Sequence, residues 1–277
     1  MQELRGMPAV NALKQKFTKQ IEELNGIIPK LAVVRVGECE DDIAYERGII
    51  KRFSSVNAEV SITKLPADVS QSKLEETIAA LNGDKSVHGI LLFRPLPGHL
   101  SIEPISNLIS GEKDVDCMGL VNSAHVFAGG NRGYAPCTPQ AVIEILDHYG
   151  IELKGKKVTV VGRSLVVGKP LAMLLIDRNA TVTVCHTRTL NLAQECKASD
   201  ILIACAGSAG MITAEHVRAG QVVIDVGINM VDGKLCGDVD YAATAGIVEA
   251  ITPVPGGVGT VTTSVLLKHT INSAAGK

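Results

Sequence analysis

The segment from position 158 to 175, VTVVGRSLVVGKPLAMLL, carries a β-branched run into a glycine loop and then into an apolar helical stretch. Few folds accommodate that order. A buried strand ending at Gly162 and a helix beginning near Gly168 suit a crossover of a parallel sheet, where backbone N–H groups and a helix N-terminus meet an anion. A strict G-x-G-x-x-G would place a glycine at 164, where this chain has Ser164. The segment alone reads as either a structural turn or a phosphate loop. Its position at the head of a second run of strands favours the loop.

Strand-like and helical stretches alternate on both sides of it. Upstream, LAVVRV (31–36), VSITKL (60–65) and HGILLF (88–93) read as strands. Val10, Leu13, Phe17, Ile21 and Leu24 recur at helical spacing, a second helix holds Tyr45, and a third covers 72–83, closed by Gly83. Downstream, 157–161, 180–185, 200–206, 221–227 and 246–251 read as strands, with a helix expected after each of the first three. This alternation predicts an α/β fold of doubly wound parallel sheets. The Gly- and Pro-rich stretch FAGGNRGYAPCTP (127–139) marks a domain junction. The last segment, 262–274, is helical and is expected to return to the first domain.

Composition narrows the partners. A length of 277 residues suits one or two domains, and 46% hydrophobic with 20% charged residues is ordinary for a globular chain. A net charge of −2 without a basic run argues against nucleic acid. Runs such as GILLF and LAMLLI are too short to cross a bilayer, and the N-terminus lacks a signal-like apolar core, so a cytoplasmic protein is expected. The 7 cysteines are scattered without C-x-x-C and the 7 histidines are dispersed. Reduced thiols and no metal site are expected.

About twenty residues beyond the first glycine, an NAD site usually carries an Asp or Glu for the ribose hydroxyls. Here the stretch is CHTRT (185–189), without a carboxylate. Arg163, Thr187 and Arg188 offer donors to a 2′-phosphate instead, which favours NADP over NAD. The same arginines also read as solvated surface. A later loop, TPVPGGVGTVTT (252–263), holds Pro253, Pro255, Gly256, Gly257 and Gly259 before a helix that Thr260 or Thr262 is placed to cap. It suits close approach to a flat ligand and equally suits a rigid inter-domain turn.

In AYERGIIKRF (44–53), a helix advancing about 100° per residue sets position 49 nearly above Tyr45 and turns position 51 roughly 120° away. Position 49 is Ile and position 51 is Lys. The side chain beside the tyrosine cannot carry a proton.

Taken in order, VHGILLFRPLPGHL, GEKDVDCMGLVN, PCTPQAV, VVGRSLVVGKPLAMLL, CHTRT, VIDVGIN and ITPVPGGVGTVT resemble the methylenetetrahydrofolate dehydrogenase/cyclohydrolase family over essentially the whole chain. The resemblance implies a folate-binding catalytic α/β domain over 1–137 plus 262–277, a Rossmann-type NADP domain over 138–261, and a homodimer acting on tetrahydrofolate derivatives. It implies that Gly162, Arg163, Ser164, Thr187 and Ile228 contact NADP, with Thr138 and Thr262 flanking the nicotinamide. Pro255, Gly256 and Gly257 fall among the substrate-binding positions. Tyr45 resembles the tyrosine that packs on the folate rings. Asp116 resembles the carboxylate that reads the pterin, although a loop-capping aspartate is the alternative there.

The departures from the family pattern bear on chemistry. Its substrate helix usually reads Tyr-Val-x-x-Lys and its third strand ends Gln-Leu-Pro-Leu-Pro, whereas this chain has Ile49 at the lysine, and Phe93 and Arg94 at the glutamine and leucine. Cys117 stands for the usual glycine, and GTVT for Gly-Pro-Met-Thr. Oxidation of 5,10-methylenetetrahydrofolate needs placement of two rings more than a protein acid or base. Hydrolysis of the methenyl product needs proton transfer, whose loss typically costs 10²–10⁴-fold. The expectation is a dehydrogenase with weak or absent cyclohydrolase activity. Two escapes are Arg94 swinging into the glutamine's place, where a guanidinium is a poor base but would suit the negative tail of the substrate, and Lys51 through a local unwinding at Gly48. The competing readings are an intact bifunctional enzyme, a catalytically silent folate- and nucleotide-binding protein, and another Rossmann dehydrogenase.

Overall fold

A computed structural model describes residues 1–130 and 132–276; Asn131, inside the junction stretch, and Lys277 lie outside the described residues. The chain opens with strand β1 (Gln2–Glu3) and helix α1 (Gly6–Glu22). It then alternates through β2 (Lys30–Val36), α2 (Glu40–Ser54), β3 (Glu59–Leu65), α3 (Gln71–Gly83) and β4 (Gly89–Leu92). Helices α4 (Ile102–Leu108), α5 (Leu120–Ala128) and α6 (Cys137–His148) follow. The second alternation is β5 (Lys157–Val161), α7 (Gly168–Asp177), β6 (Thr181–Cys185), α8 (Leu192–Lys197), β7 (Ile201–Ala204) and β8 (Val222–Asp225). A hairpin of β9 (Asn229–Val231) and β10 (Lys234–Cys236), helix α9 (Tyr241–Thr244), strand β11 (Ala250–Ile251) and helix α10 (Gly259–Ala274) complete it.

The chain divides into two compact units, one of Met1–Asn11 with Thr138–Thr262, the other of Ala12–Cys137 with Thr263 onward. This differs from the sequence reading at the N-terminus. Residues 1–11 belong with the second run of strands, because β1 pairs parallel with β11, Gln2 opposite Ala250, and Leu4 N–H donates to Ile251 O. Thr262 falls on that side too.

In the unit of residues 12–137, β2 lies between β3 and β4 in a parallel sheet. Leu31 to Val34 are fully buried, as a strand covered on both faces must be. Ala32, Val34, Leu74, Ile78, Ile90 and Leu92 share one core cluster. Helix α3 starts where Ser70 accepts the N–H of Lys73, and it buries Leu74 and Ile78 one turn apart. Beyond its end, Lys113 Nζ donates to the carbonyls of Leu81, Asn82 and Asp84, groups the helix leaves unpaired.

In the other unit, the described strands run β1-β11-β8-β7-β5-β6, all parallel. The order reverses at β5, which has β6 on one side and β7 on the other. A crevice at such a reversal is where open α/β sheets take ligands. Two expectations fail here. A short 3-10 turn at Ala214–His216, not an α-helix, follows β7, and the strand expected over 246–251 is confined to β11. The β9–β10 hairpin was not anticipated. Its two-residue turn, Asp232 and Gly233, has φ of 50° and 73°, the left-handed geometry that Asp-Gly favours.

Candidate active site

In the unit of residues 12–137, α2 presents Glu46, Ile49 and Phe53 as its buried stripe. Tyr45, on the flank of that stripe, is 38% exposed, whereas Ile49 is 0% exposed. The helical phase therefore sets Ile49 one turn from Tyr45 but inside the core. Helix α2 continues unbroken through Gly48, with Lys51 exposed. Phe93 follows β4, its N–H donating to Val34 O at 3.0 Å. Its ring, 6% exposed, lies 5.8 Å from that of Tyr45 at a tilt of 44°. Two apolar side chains, Ile49 and Phe93, therefore flank Tyr45.

Beneath α2 sits an ion pair that sequence reading missed. Arg35, on β2 and 2% exposed, sets Nε 3.2 Å from Glu46 Oε2 and donates through Nη1 to Gly37 O. The only signal was an arginine inside the apolar run LAVVRV. Burial raises the Asp42 carboxyl above the usual range, with Arg35 pulling the other way.

The loop after α4 separates two aspartates by role. Asp114, fully buried, accepts the N–H groups of Met118 and Gly119 and the amide of Asn122. Its carboxyl is raised by burial against those hydrogen bonds. Asp114 therefore performs the loop-capping task that was the alternative reading of Asp116. Asp116 accepts Cys137 N–H through Oδ1 at 3.0 Å and faces Arg94 Nη2 through Oδ2 at 3.5 Å. His269 on α10 bonds Val115 O through Nδ1 at 2.8 Å, which braces the same loop. Burial pushes the Cys117 thiol up to about 12.

In the other unit, Gly162 N–H donates to Cys185 O at 2.9 Å, and the chain then leaves β5 with φ of 138°. A Cβ on Gly162 would lie 2.3 Å from Cys205 O, and one on Gly168 would lie 2.1 Å from Gly162 O. These two glycines let the loop close on itself at the strand-order reversal. Ser164 accepts Val167 N–H through Oγ at 3.1 Å and makes an exposed turn. At the position where the strict fingerprint has glycine, this chain therefore carries a hydroxyl that caps the turn.

After β6, His186 N–H donates to Thr189 Oγ1 at 2.8 Å and Arg188 N–H to His186 Nδ1 at 3.1 Å. That turn leaves Thr187 and Arg188 exposed, as is Arg163. A separate cavity of about 240 Å³ is lined by Ile228, Pro255, Gly256, Gly257 and Thr260, among others. Gly257 is required there, since a Cβ would meet Pro253 O at 2.5 Å. Thr138, half-buried, is the second residue of α6. Thr262 does not cap α10; its hydroxyl donates back to Gly259 O at 3.0 Å.

Sequence reading also missed the carboxylates behind this cavity. Asp225 accepts the N–H groups of Gly227, Asp238 and Val239, each at 2.9 Å. Asp238 accepts those of Ala206, Gly207 and Ser208 and the side-chain amide of Asn229. Burial pushes the Asp225 carboxyl up to about 6, against its hydrogen bonds. A Cβ on Gly237 would lie 1.8 Å from Asp225 Oδ2, and one on Gly227 would lie 2.3 Å from Asp238 Oδ1. Each carboxylate occupies space that a glycine vacates.

Comparison with known proteins matches the chain in two successive segments. Residues 4–116 match the family described as tetrahydrofolate dehydrogenase/cyclohydrolase, catalytic domain, and residues 136–277 its NAD(P)-binding domain. The chain is 48% identical over 273 residues to the bifunctional protein FolD of Clostridioides difficile, covering 98% of this chain and 95% of that one. The crystal structure of the bifunctional FolD dehydrogenase/cyclohydrolase from Campylobacter jejuni superposes with a TM-score of 0.96 at 35% identity, covering 100% and 99%. That of the Trypanosoma brucei enzyme, complexed with NADP cofactor and inhibitor, gives 0.91 at 34% identity, covering 98% and 96%. A catalytic α/β segment followed by a glycine-loop nucleotide fold, each matched along its length, places this chain in the tetrahydrofolate dehydrogenase/cyclohydrolase family.

Proposed function

We propose that the protein oxidises 5,10-methylenetetrahydrofolate to 5,10-methenyltetrahydrofolate with NADP, and hydrolyses the product weakly or not at all. One observation carries the second half: Ile49 is fully buried and Phe93 packs against Tyr45, so neither position offers a proton donor or acceptor. Neither escape gains support. Arg94 faces Asp116, and Lys51 is exposed on an unbroken helix.

The unit of residues 12–137 is assigned to folate, with Tyr45 packing on the rings and Asp116 holding the pterin. The unit of residues 138–262 is assigned to the coenzyme, which when bound supplies the hydride acceptor. Gly162 and Gly168 suit a pyrophosphate because their bare backbone leaves N–H groups approachable. Exposed Arg163, Thr187 and Arg188, with no carboxylate at the end of β6, suit a 2′-phosphate and favour NADP over NAD. Thr138, Thr262 and Ile228 are assigned to the nicotinamide side, and Pro255, Gly256 and Gly257 to the substrate. The enzyme is taken to work as a cytoplasmic homodimer, as the family resemblance implies.

The test is a pair of rates on one preparation. NADPH formation from methylenetetrahydrofolate is expected, faster than NADH formation from NAD. Methenyltetrahydrofolate, followed by its near-UV absorbance, is expected to decay at close to its uncatalysed rate. Enzyme-dependent hydrolysis comparable to the NADPH-forming rate would sink the second half of the proposal.

A further inference from the structure

Arg94 and Asp116 stand side by side on two different supports. Asp116 belongs to the loop that Asp114 ties down through Met118, Gly119 and Asn122, and its Oδ1 is held by Cys137 N–H. Arg94 follows Phe93, whose ring is buried against Tyr45. The Arg94 and Asp116 side chains are 34% and 21% exposed, so their polar ends remain accessible. Their one contact, at 3.5 Å between Nη2 and Oδ2, is long for a charged hydrogen bond. Most of the guanidinium N–H groups stay available for a ligand.

Side by side, the carboxylate offers acceptors and the guanidinium offers donors. The edge of a 4-oxopterin presents the complement: an amino N–H at position 2, a ring N–H at position 3, and a carbonyl oxygen at position 4. We propose that Asp116 takes the two N–H groups while Arg94 donates to the 4-oxo oxygen, which makes Arg94 a specificity-determining residue of this chain. The inference rests on the folate reading above and deepens it.

Asp116 already favours the 4-oxo form in part, because ring position 3 carries a hydrogen in the 4-oxo pterin and none in the neutral 4-amino one. Arg94 separates the two, because a 4-amino group would set N–H against N–H and leave both partly desolvated donors unpaired. A leucine at this position could make no such distinction.

The test is calorimetric titration of the full chain with tetrahydrofolate and with 4-amino-4-deoxytetrahydrofolate, using wild type, Arg94→Leu and Arg94→Lys. Wild type is expected to favour the 4-oxo compound by about tenfold or more, the scale of one charge-assisted hydrogen bond. Arg94→Leu should lower that preference about tenfold by weakening the 4-oxo compound, with Arg94→Lys between. Circular dichroism and NADP titration confirm that each variant is folded. An unchanged ratio in Arg94→Leu, or equal weakening of both compounds, would overturn the assignment of Arg94 to the 4-oxo group. If wild type binds NADP but neither pterin, the folate reading itself falls and takes this inference with it.

Discussion

The rings of Tyr45 and Phe93 lie 5.8 Å apart with a tilt of 44°, and Ile49 is buried one helical turn from Tyr45. Such ring pairs contribute about 0.5–1.5 kcal/mol beyond the area they bury. The aromatic contact therefore stabilises the arrangement that excludes a lysine–glutamine pair.

Introducing such a pair one residue at a time should be costly. Ile49→Lys places an ammonium in a core position without a partner, and Phe93→Gln trades a buried ring for an amide; each is expected to lose about 2–4 kcal/mol in urea unfolding. The double variant should lose less than the sum by about 1 kcal/mol, the amide serving as a partner for the ammonium. Strict additivity would show that the positions do not share one site.

Arg35 and Glu46 should behave as a unit. Removing one partner leaves the other charge buried, so Arg35→Met or Glu46→Val is expected to cost about 3–5 kcal/mol. The double variant should recover most of that loss, since a buried ion pair contributes little over an apolar pair of similar volume. Urea midpoints of the wild type and three variants decide it. A double variant no better than the worse single one refutes the pairing.

Asp225 gives stability a definite pH dependence. An unfolded aspartate titrates near about 3.9 and the folded one at about 6, so the folded chain holds this proton more tightly. Its contribution is complete below the unfolded value and is lost as pH rises through about 6. Stability of wild type minus that of Asp225→Asn should therefore fall between about pH 4 and pH 7, by at most about 3 kcal/mol. Denaturant titrations across that range check the sign. A difference that grows with pH contradicts the assignment.

Gly168→Ala probes the closed loop. A methyl group 2.1 Å from Gly162 O must push the loop open, at about 1–3 kcal/mol of stability. NADP affinity is expected to fall at least about tenfold in calorimetric titration. Gly83→Ala, at a position where a Cβ meets nothing within 4 Å, is the control and should leave NADP affinity unchanged.

The sequence made the large features legible where one local rule governs them. Continuous apolar runs marked the central strands because parallel sheets bury both faces, and the glycine loop marked the strand-order reversal. Residues whose meaning depends on distant partners were harder. Arg35 reads as a surface charge until Glu46, on another element, is seen beneath the helix. Asp114 and Asp116 are indistinguishable in KDVD, and only burial separates the brace from the binding candidate. Residues 1–11 looked like the start of the first unit because a two-residue strand carries no periodicity. The Asp232-Gly233 turn carries a local signal, but its flanking strands of three residues each are too short to show an alternation.

The interlocked pair Asp225 and Asp238 has a consequence for motion. The loop after β7, Gly227 just beyond β8 and the segment after β10 are all tied to two carboxylates. Sliding any one of them requires several charge-assisted bonds to break together, and the space vacated by Gly227 and Gly237 is already filled. These segments can therefore respond to a ligand only as one body, so whatever orders the wall at Ile228 is felt at Ala206 without a hinge between them.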